Sequence, residues 1–163
     1  MSIAYLLLGG NVGNRELMLQ ESVNLVAEKV GDIVARSALY ETEPWGFEDE
    51  NLFLNQALKV ETDMSPSSLL NTLLLIEQSL GRTRPVKKFS SRTIDIDILF
   101  FDNLLVSLAN LIIPHPFLHE RRFVLAPLAE IAGDLIHPTF NTTIGELLKQ
   151  CSDKLSVKIF REV

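Results

Sequence analysis

The sequence has very little of several features that would assign a protein to a specialised class. Its single cysteine, Cys151, cannot form a disulfide within the chain, which favours a reducing compartment. We expect Cys151 to be a buried structural thiol. No apolar run approaches the roughly 20 residues of a membrane span, and the first residues lack the basic start of a signal peptide. A cytoplasmic location is therefore expected.

Positive charge is also scarce relative to negative charge. Fifteen Lys and Arg residues stand against 21 Asp and Glu, which gives a net charge of −6. Such a surface repels nucleic acids and anionic membranes, so we expect neither as a partner. A phosphate-bearing ligand would have to bind at a local basic patch.

What the chain does contain is the composition of an ordinary globular protein. It has 163 residues, of which 47% are hydrophobic and 22% charged. This length suits one domain and is too short for two catalytic domains. We expect a single domain over residues 1–163, acting as a monomer.

The hydrophobic pattern predicts an alternation of strands and helices in the first two thirds of the chain. Strands are expected at 3–8, 33–42, 53–62 and 94–101. An amphipathic helix should follow the first strand, and Ser65 and Pro66 should start another that Gly81 ends. The resulting order of elements is that of the ferredoxin-like, or split βαβ, fold of the α+β class.

The last third of the chain has a weaker pattern, because prolines divide it into short pieces. We expect short helices near 120–131 and 144–150, and a late strand near 157–160.

The strongest chemical signal is the segment Arg92-Thr93-Ile94-Asp95-Ile96-Asp97-Ile98-Leu99. Side chains alternate along a strand, so Asp95 and Asp97 should share a face, about 7 Å apart. Such a pair can hold Mg²⁺, which takes few protein carboxylates and completes its shell with substrate phosphates. The alternative is an exposed acidic face on an edge strand. We favour the metal, because the apolar residues that follow indicate a central strand.

A basic segment precedes this pair. Five of the fifteen cations fall within the eleven residues 82–92, and Pro85, Ser90 and Ser91 indicate a loop. Cations beside paired carboxylates suit phosphoryl transfer, although a solvated loop with incidental charge is the alternative. We further predict that residues 82–91 form a mobile lid over bound substrates.

Two other motifs give narrower predictions. Gly9 to Asn14 lacks the Lys-Ser/Thr of a P-loop and does not fit G-x-G-x-x-G, so it predicts only a turn from strand to helix. His115, flanked by Pro114 and Pro116, is suited to donate a hydrogen bond to an anion. The pair His115 and His119 is a poor zinc candidate, since Pro116 disfavours a regular helix there.

Taken together, these motifs resemble the 6-hydroxymethyl-7,8-dihydropterin pyrophosphokinase family. The matching stretches run through residues 3–140 and include 8–14, 40–44, 53–55, 76–84, 92–99, 114–116 and 121–128. The resemblance implies a ferredoxin-like fold and transfer of pyrophosphate from ATP to the hydroxymethyl group of the pterin, with AMP released, in folate synthesis. It implies ATP and 6-hydroxymethyl-7,8-dihydropterin as the small-molecule substrates.

The same resemblance implies roles for individual residues. Asp95 and Asp97 would bind two Mg²⁺ ions, and Arg82 and Arg92 would lie closest to the transferred group as further catalytic residues. The ATP-binding positions would be Glu77, Arg84, Lys88, Arg92, Ile98, His115 and Arg121. The pterin-binding positions would be Thr42, Glu43, Pro44, Trp45, Phe53, Asn55, Asp95 and Phe123, with Phe53 and Phe123 stacking on the ring.

Two readings from other classes stay open at this stage. A non-catalytic ferredoxin-like module that binds nucleotide or RNA is disfavoured by the net charge and by the missing aromatic sheet motif. A degenerate structural homologue is disfavoured by the presence of Asp95, Asp97, Arg92 and His115.

Overall fold

The computed structural model describes residues 1–81 and 93–163 as an antiparallel sheet with helices on both faces. The strands of the main sheet are β1 (Ser2–Gly10), β2 (Gly31–Arg36), β3 (Leu39–Thr42), β4 (Phe53–Thr62), β5 (Asp95–Phe101) and β10 (Val157–Arg161). The α helices are α1 (Arg15–Lys29), α2 (Pro66–Ser79), α3 (Arg122–Ala132) and α4 (Ile144–Gln150). Two short hairpins, β6 (Val106–Leu108) with β7 (Leu111–Ile113) and β8 (Ile136–His137) with β9 (Thr142–Thr143), lie outside this sheet.

The sheet has the strand order β10-β3-β4-β1-β5, and β2 pairs with the same edge of β4 as β3 does. Each of these pairings is antiparallel. Because β1 lies between β4 and β5, residues from all three strands come together at the end of the sheet that holds Gly9. This arrangement places the functional site.

Each face of the sheet has its own apolar core. On one face, α1 and α2 cover a cluster that includes Leu6, Leu8 and Leu58. On the other, α3 and α4 cover a cluster that includes Tyr5, Leu7 and Leu99. The alternation of side chains along β1 separates the two sets, as the period of two in a strand requires.

The predicted α+β class is confirmed, and most predicted elements are found. Strand β4 spans the predicted residues 53–62, and α4 spans 144–150 as predicted. Ser65 is the N-cap of α2, its side chain accepting from Ser68 N, and Gly81 follows the helix with a φ of +86°. The late strand is β10. Cys151 is a free, buried thiol.

The predicted strand 33–42 is instead two strands, and the reason lies at Ser37. The Ser37 hydroxyl oxygen accepts a hydrogen bond from Ala57 N at 2.9 Å, so a side chain replaces a backbone partner at that position of the ladder. The regular pairing with β4 is therefore interrupted between β2 and β3.

The prediction that the strand with Asp95 and Asp97 is central is wrong. Strand β5 pairs with β1 and stands at the end of the strand order. Its apolar residues are buried nonetheless, because Ile98 packs into the core beneath α1 and α2 while Leu99 packs beneath α3 and α4. The backbone N–H of His115 also donates to the carbonyl oxygen of Leu99 at 3.0 Å and covers part of this edge.

Among residues 1–81 and 93–163, none of the helices has the length and hydropathy needed to cross a membrane.

Candidate functional site

The centre of the site is a row of three residues on neighbouring strands. Gly9 of β1 is in register with Asn55 of β4 on one side and with Asp95 of β5 on the other. A Cβ at Gly9 would collide with Oδ1 of Asn55. Only glycine therefore leaves room for the Asn55 carboxamide to lie across β1.

The Asn55 side chain is held in one orientation. It is 3% exposed, and its Nδ2 donates to Oγ1 of Thr42 on β3 at 2.7 Å. Thr42 is itself 2% exposed. A carboxamide offers both donors and an acceptor, so a fixed one can read the polar edge of a ligand.

Asp95 and Asp97 occupy alternate positions at the start of β5 and line the same cavity as Asn55. Both are partly exposed, whereas Ile96 between them is 5% exposed on the opposite face. Within the described ranges, no group of three or more His, Cys, Asp or Glu side chains could hold a metal ion.

Glu77, in the last turn of α2, is directly connected to this strand. Its carboxylate accepts a hydrogen bond from Ile96 N at 2.7 Å, and the residue is 6% exposed. The contact ties α2 to the backbone between the two aspartates. Glu77 therefore acts on the position of β5.

The cavity itself has a volume of about 310 Å³. Its walls combine carboxylates, a carboxamide, a guanidinium and several aromatic rings. The lining residues are Leu7, Gly9, Thr42, Glu43, Trp45, Phe47, Phe53, Asn55, Asp95, Asp97, His115, Pro116, Phe117, Arg121 and Phe123.

The loop between β3 and β4 forms one wall of this cavity. Glu43 fixes the start of the loop, because its Oε1 accepts from Ser156 N at 2.6 Å and its own N–H donates to Ser156 O at 3.1 Å. Further along, the Phe47 ring meets the Phe53 ring edge-on at 6.0 Å between centroids. The ring centroids of Trp45 and Phe117, which both line the cavity, are 6.2 Å apart.

Strand β3 is anchored from behind by Tyr40. Its hydroxyl donates to Oε1 of Glu130 on α3 at 2.7 Å, and Oε2 of the same carboxylate accepts from Ala38 N at 3.0 Å. Burial, followed by the hydrogen bond and charge of Glu130, raises the pKa of Tyr40 above its ordinary value. The phenol thus stays a donor over the physiological range and fixes the strand that carries Thr42.

Ten of the predicted site residues line this one cavity: Thr42, Glu43, Trp45, Phe53, Asn55, Asp95, Asp97, His115, Arg121 and Phe123. Of the other predicted residues that the structure describes, Pro44, Glu77 and Ile98 are not part of the lining. Ile98 belongs to the core beneath α1 and α2, and Glu77 contacts the backbone of β5. Arg82, Arg84, Lys88 and Arg92, and the predicted lid over 82–91, lie outside the described residues.

Sequence reasoning missed five lining residues: Leu7, Gly9, Phe47, Pro116 and Phe117. The sequence pattern predicts a turn at Gly9, yet Gly9 lies inside β1. A glycine at the end of an apolar strand can mark a close approach by another group, and that signal was available here. Phe47 and Phe117 carry no such signal, because a lone aromatic residue in a loop does not reveal which ring it faces.

Comparisons with known proteins identify the family of this chain. The family described as 7,8-dihydro-6-hydroxymethylpterin-pyrophosphokinase (HPPK) matches residues 5–133. The 2-amino-4-hydroxy-6-hydroxymethyldihydropteridine pyrophosphokinase of Methylorubrum extorquens is 47% identical over 137 residues, which cover 83% of this chain and 86% of the relative. The enzyme of the same name from Bacillus subtilis is 46% identical over 131 residues, which cover 80% of this chain and 78% of that relative.

A comparison with solved structures finds a protein of similar fold. The crystal structure of Plasmodium falciparum HPPK-DHPS wild type with pteroate has a TM-score of 0.76 over 91% of this chain, at 19% identity. This chain covers 44% of that longer one. From the family match over 5–133 and the two bacterial relatives, the chain belongs to the 7,8-dihydro-6-hydroxymethylpterin-pyrophosphokinase family.

Proposed function

We propose that this protein transfers a pyrophosphate group from ATP to the hydroxymethyl group of 6-hydroxymethyl-7,8-dihydropterin, releasing AMP, as a step of folate biosynthesis. One observation carries the proposal. A carboxylate pair, a fixed carboxamide and aromatic rings, the groups that phosphate-bound metal and a flat heterocycle require, line a single cavity.

The pterin half of the site is proposed to lie around Asn55. The carboxamide would pair with the polar edge of the pterin, and Phe53 and Phe123 would provide faces for its ring. Thr42 supports this role, because it holds Asn55 Nδ2 at 2.7 Å and so fixes which end of the amide faces the ligand. The loop from Glu43 through Pro44 to Trp45 would complete this half.

The metal half of the site is proposed to lie at Asp95 and Asp97, which would hold two Mg²⁺ ions. The donor set fits: two carboxylates from one strand suit a hard cation that takes one or two protein carboxylates and keeps positions for substrate oxygens. Bound Mg²⁺ would neutralise charge on the phosphate oxygens. Asp95 also lies in one row with Gly9 and Asn55, so it borders both halves.

The protein's own contribution is mainly positioning. The pterin hydroxyl would attack the β-phosphorus in line with the departing AMP, and the cavity would hold the two substrates in that geometry. Arg121 and His115 would donate hydrogen bonds to phosphate oxygens. Glu77 is proposed to act through β5 rather than by touching ATP, since it accepts from Ile96 N.

We also propose a fold and an oligomeric state. The strand order with β1 between β4 and β5, and helices α1 and α2 on one face, supports a ferredoxin-like arrangement. A single domain over 1–163 and a monomer are also proposed. Light scattering would test the monomer.

The decisive experiment is an assay of AMP release from ATP and Mg²⁺, with and without the pterin alcohol. AMP formation that requires the pterin supports the proposal. ATP binding without pterin-dependent AMP release would refute it and support the alternative of a non-catalytic nucleotide-binding module.

A further inference from the structure

The side chain of Arg121 is surrounded by aromatic rings. It is 7% exposed, and its guanidinium carbon lies 4.4 Å from the centroid of the Trp45 ring and 4.9 Å from that of Phe117. The Phe123 ring is 5.7 Å away. All three distances fall within the range at which the negative face of a ring attracts a cation.

Two of these rings come from separate parts of the chain. Trp45 belongs to the loop between β3 and β4, and Phe117 immediately precedes the short 3₁₀ helix Leu118–Glu120. Their centroids are 6.2 Å apart and their planes are inclined by 35°, and the guanidinium lies against both rings. These two contacts restrict the rotamers that the long Arg121 side chain can adopt.

The ring contacts place the Arg121 guanidinium at the wall of the cavity, and an aromatic face attracts a cation without neutralising its charge. Arg121 and the carboxylates Asp95 and Asp97 line the same cavity, so a phosphate chain there could meet both metal and guanidinium.

We propose that Trp45 and Phe117 are positioning residues that hold the Arg121 guanidinium ready for the phosphate oxygens of the nucleotide. This inference rests on the proposed function. Neither ring needs to touch the reacting atoms, because both act through Arg121.

A double-mutant cycle tests the proposal. Phe117→Leu removes the ring and keeps an apolar side chain, and should lower kcat/KM for ATP roughly tenfold. In the Arg121→Ala background the same change should have an effect of less than about twofold, because the group it positions is gone. Phe117→Tyr should restore most of the activity. Equal effects of Phe117→Leu in both backgrounds would overturn the proposal.

Phe47→Leu provides the matched control. Phe47 lines the same cavity but packs its ring against Phe53, at 6.0 Å between centroids. Its loss should change kcat/KM by the same factor with and without Arg121. Coupling to Arg121 as large as that of Phe117 would mean that any ring in the cavity behaves this way, which contradicts a specific positioning role.

A second measurement does not depend on the reaction. Trp45 is the one tryptophan in the sequence, so intrinsic fluorescence excited at the indole band reports on it alone. Arg121→Ala should change the intensity or wavelength of emission in the ligand-free protein. Unchanged emission would overturn the stacking. If the wild-type protein released no pterin-dependent AMP, the proposed function would fail, whereas this fluorescence result would still decide whether Trp45 holds Arg121.

Discussion

The carboxylate of Glu77 accepts a hydrogen bond from the backbone N–H of Ile96 at 2.7 Å, and Ile96 lies between Asp95 and Asp97. The bond joins the end of α2 to the start of β5. Helix α2, whose apolar face is buried in the core, thus fixes the position of the strand that carries both carboxylates.

Removing this bond should affect stability first. Glu77→Ala leaves the Ile96 N–H buried without this acceptor, which should lower the free energy of unfolding by about 1–3 kcal/mol. Glu77→Gln keeps a carbonyl oxygen at the same reach and should lose less. Urea denaturation of the three proteins measures the difference. Equal losses for Ala and Gln would show that the charge of Glu77, and not the bond to Ile96, is what matters.

The carboxylate pair should be essential for turnover and dispensable for folding. Asp95→Asn and Asp97→Asn should each reduce kcat by about 10²–10³-fold, comparable to loss of a group that stabilises transition-state charge. Circular dichroism should be unchanged. Asp32→Asn, an exposed carboxylate on β2, is the control and should keep normal turnover. Near-normal turnover of both site variants, measured across Mg²⁺ concentrations, would disprove the metal assignment.

Asn55 should discriminate between the two substrates. Asn55→Ala should weaken pterin binding by about 1–3 kcal/mol, because polar atoms of the ligand lose their partner, and should leave ATP binding nearly unchanged. Thr42→Val removes the acceptor that orients Asn55 Nδ2, so it should reproduce part of the same loss. Titration calorimetry with each ligand separates these effects. Equal weakening of pterin binding and ATP binding would mean that Asn55 supports the fold and does not recognise the pterin.

His137 should make stability depend on pH below neutrality. Burial, followed by the positive charge of His119, lowers the pKa of His137 below its ordinary value of about 6.5. Its Nδ1 accepts from the N–H groups of Thr139 and Phe140, at 3.1 and 3.3 Å. Below pH 6.5 the unfolded chain therefore binds more protons at this residue than the folded one, and stability falls as the pH falls.

The matched variant for this effect is His137→Asn, whose side-chain oxygen can accept the same bonds and does not titrate. Thermal unfolding between pH 5 and 8 should give a shallower decline in Tm toward acid for the variant than for the wild type. Identical slopes would mean that groups other than His137 account for the acid sensitivity.

Local rules predicted the elements of this fold well, because each has its own signal. Ser65, Pro66 and Gly81 mark the ends of α2, and the alternation of side chains gives β4 its bounds. The position of β5 in the sheet could not be obtained this way. The apolar residues Leu99 and Phe100 indicate burial, but burial against helices produces the same pattern as a central position.

For the site, types of residue were easier to predict than contacts. The spacing of Asp95 and Asp97 gives their shared face, since that follows from the geometry of a strand alone. The register that brings Gly9 beside Asn55 and Asp95 depends on long-range pairing, which local patterns do not contain. The same holds for the contact of Arg121 with Trp45, which joins two parts of the chain that are distant in sequence.

The nucleotide product is the most direct test of the proposed transfer. Purified protein would be mixed with ATP, Mg²⁺ and 6-hydroxymethyl-7,8-dihydropterin, and nucleotides and pterins would be separated and quantified by mass. The proposal predicts one AMP for each pterin diphosphate formed, with no AMP when the pterin is omitted. Formation of ADP with a pterin monophosphate, or AMP release that does not require the pterin, would contradict it.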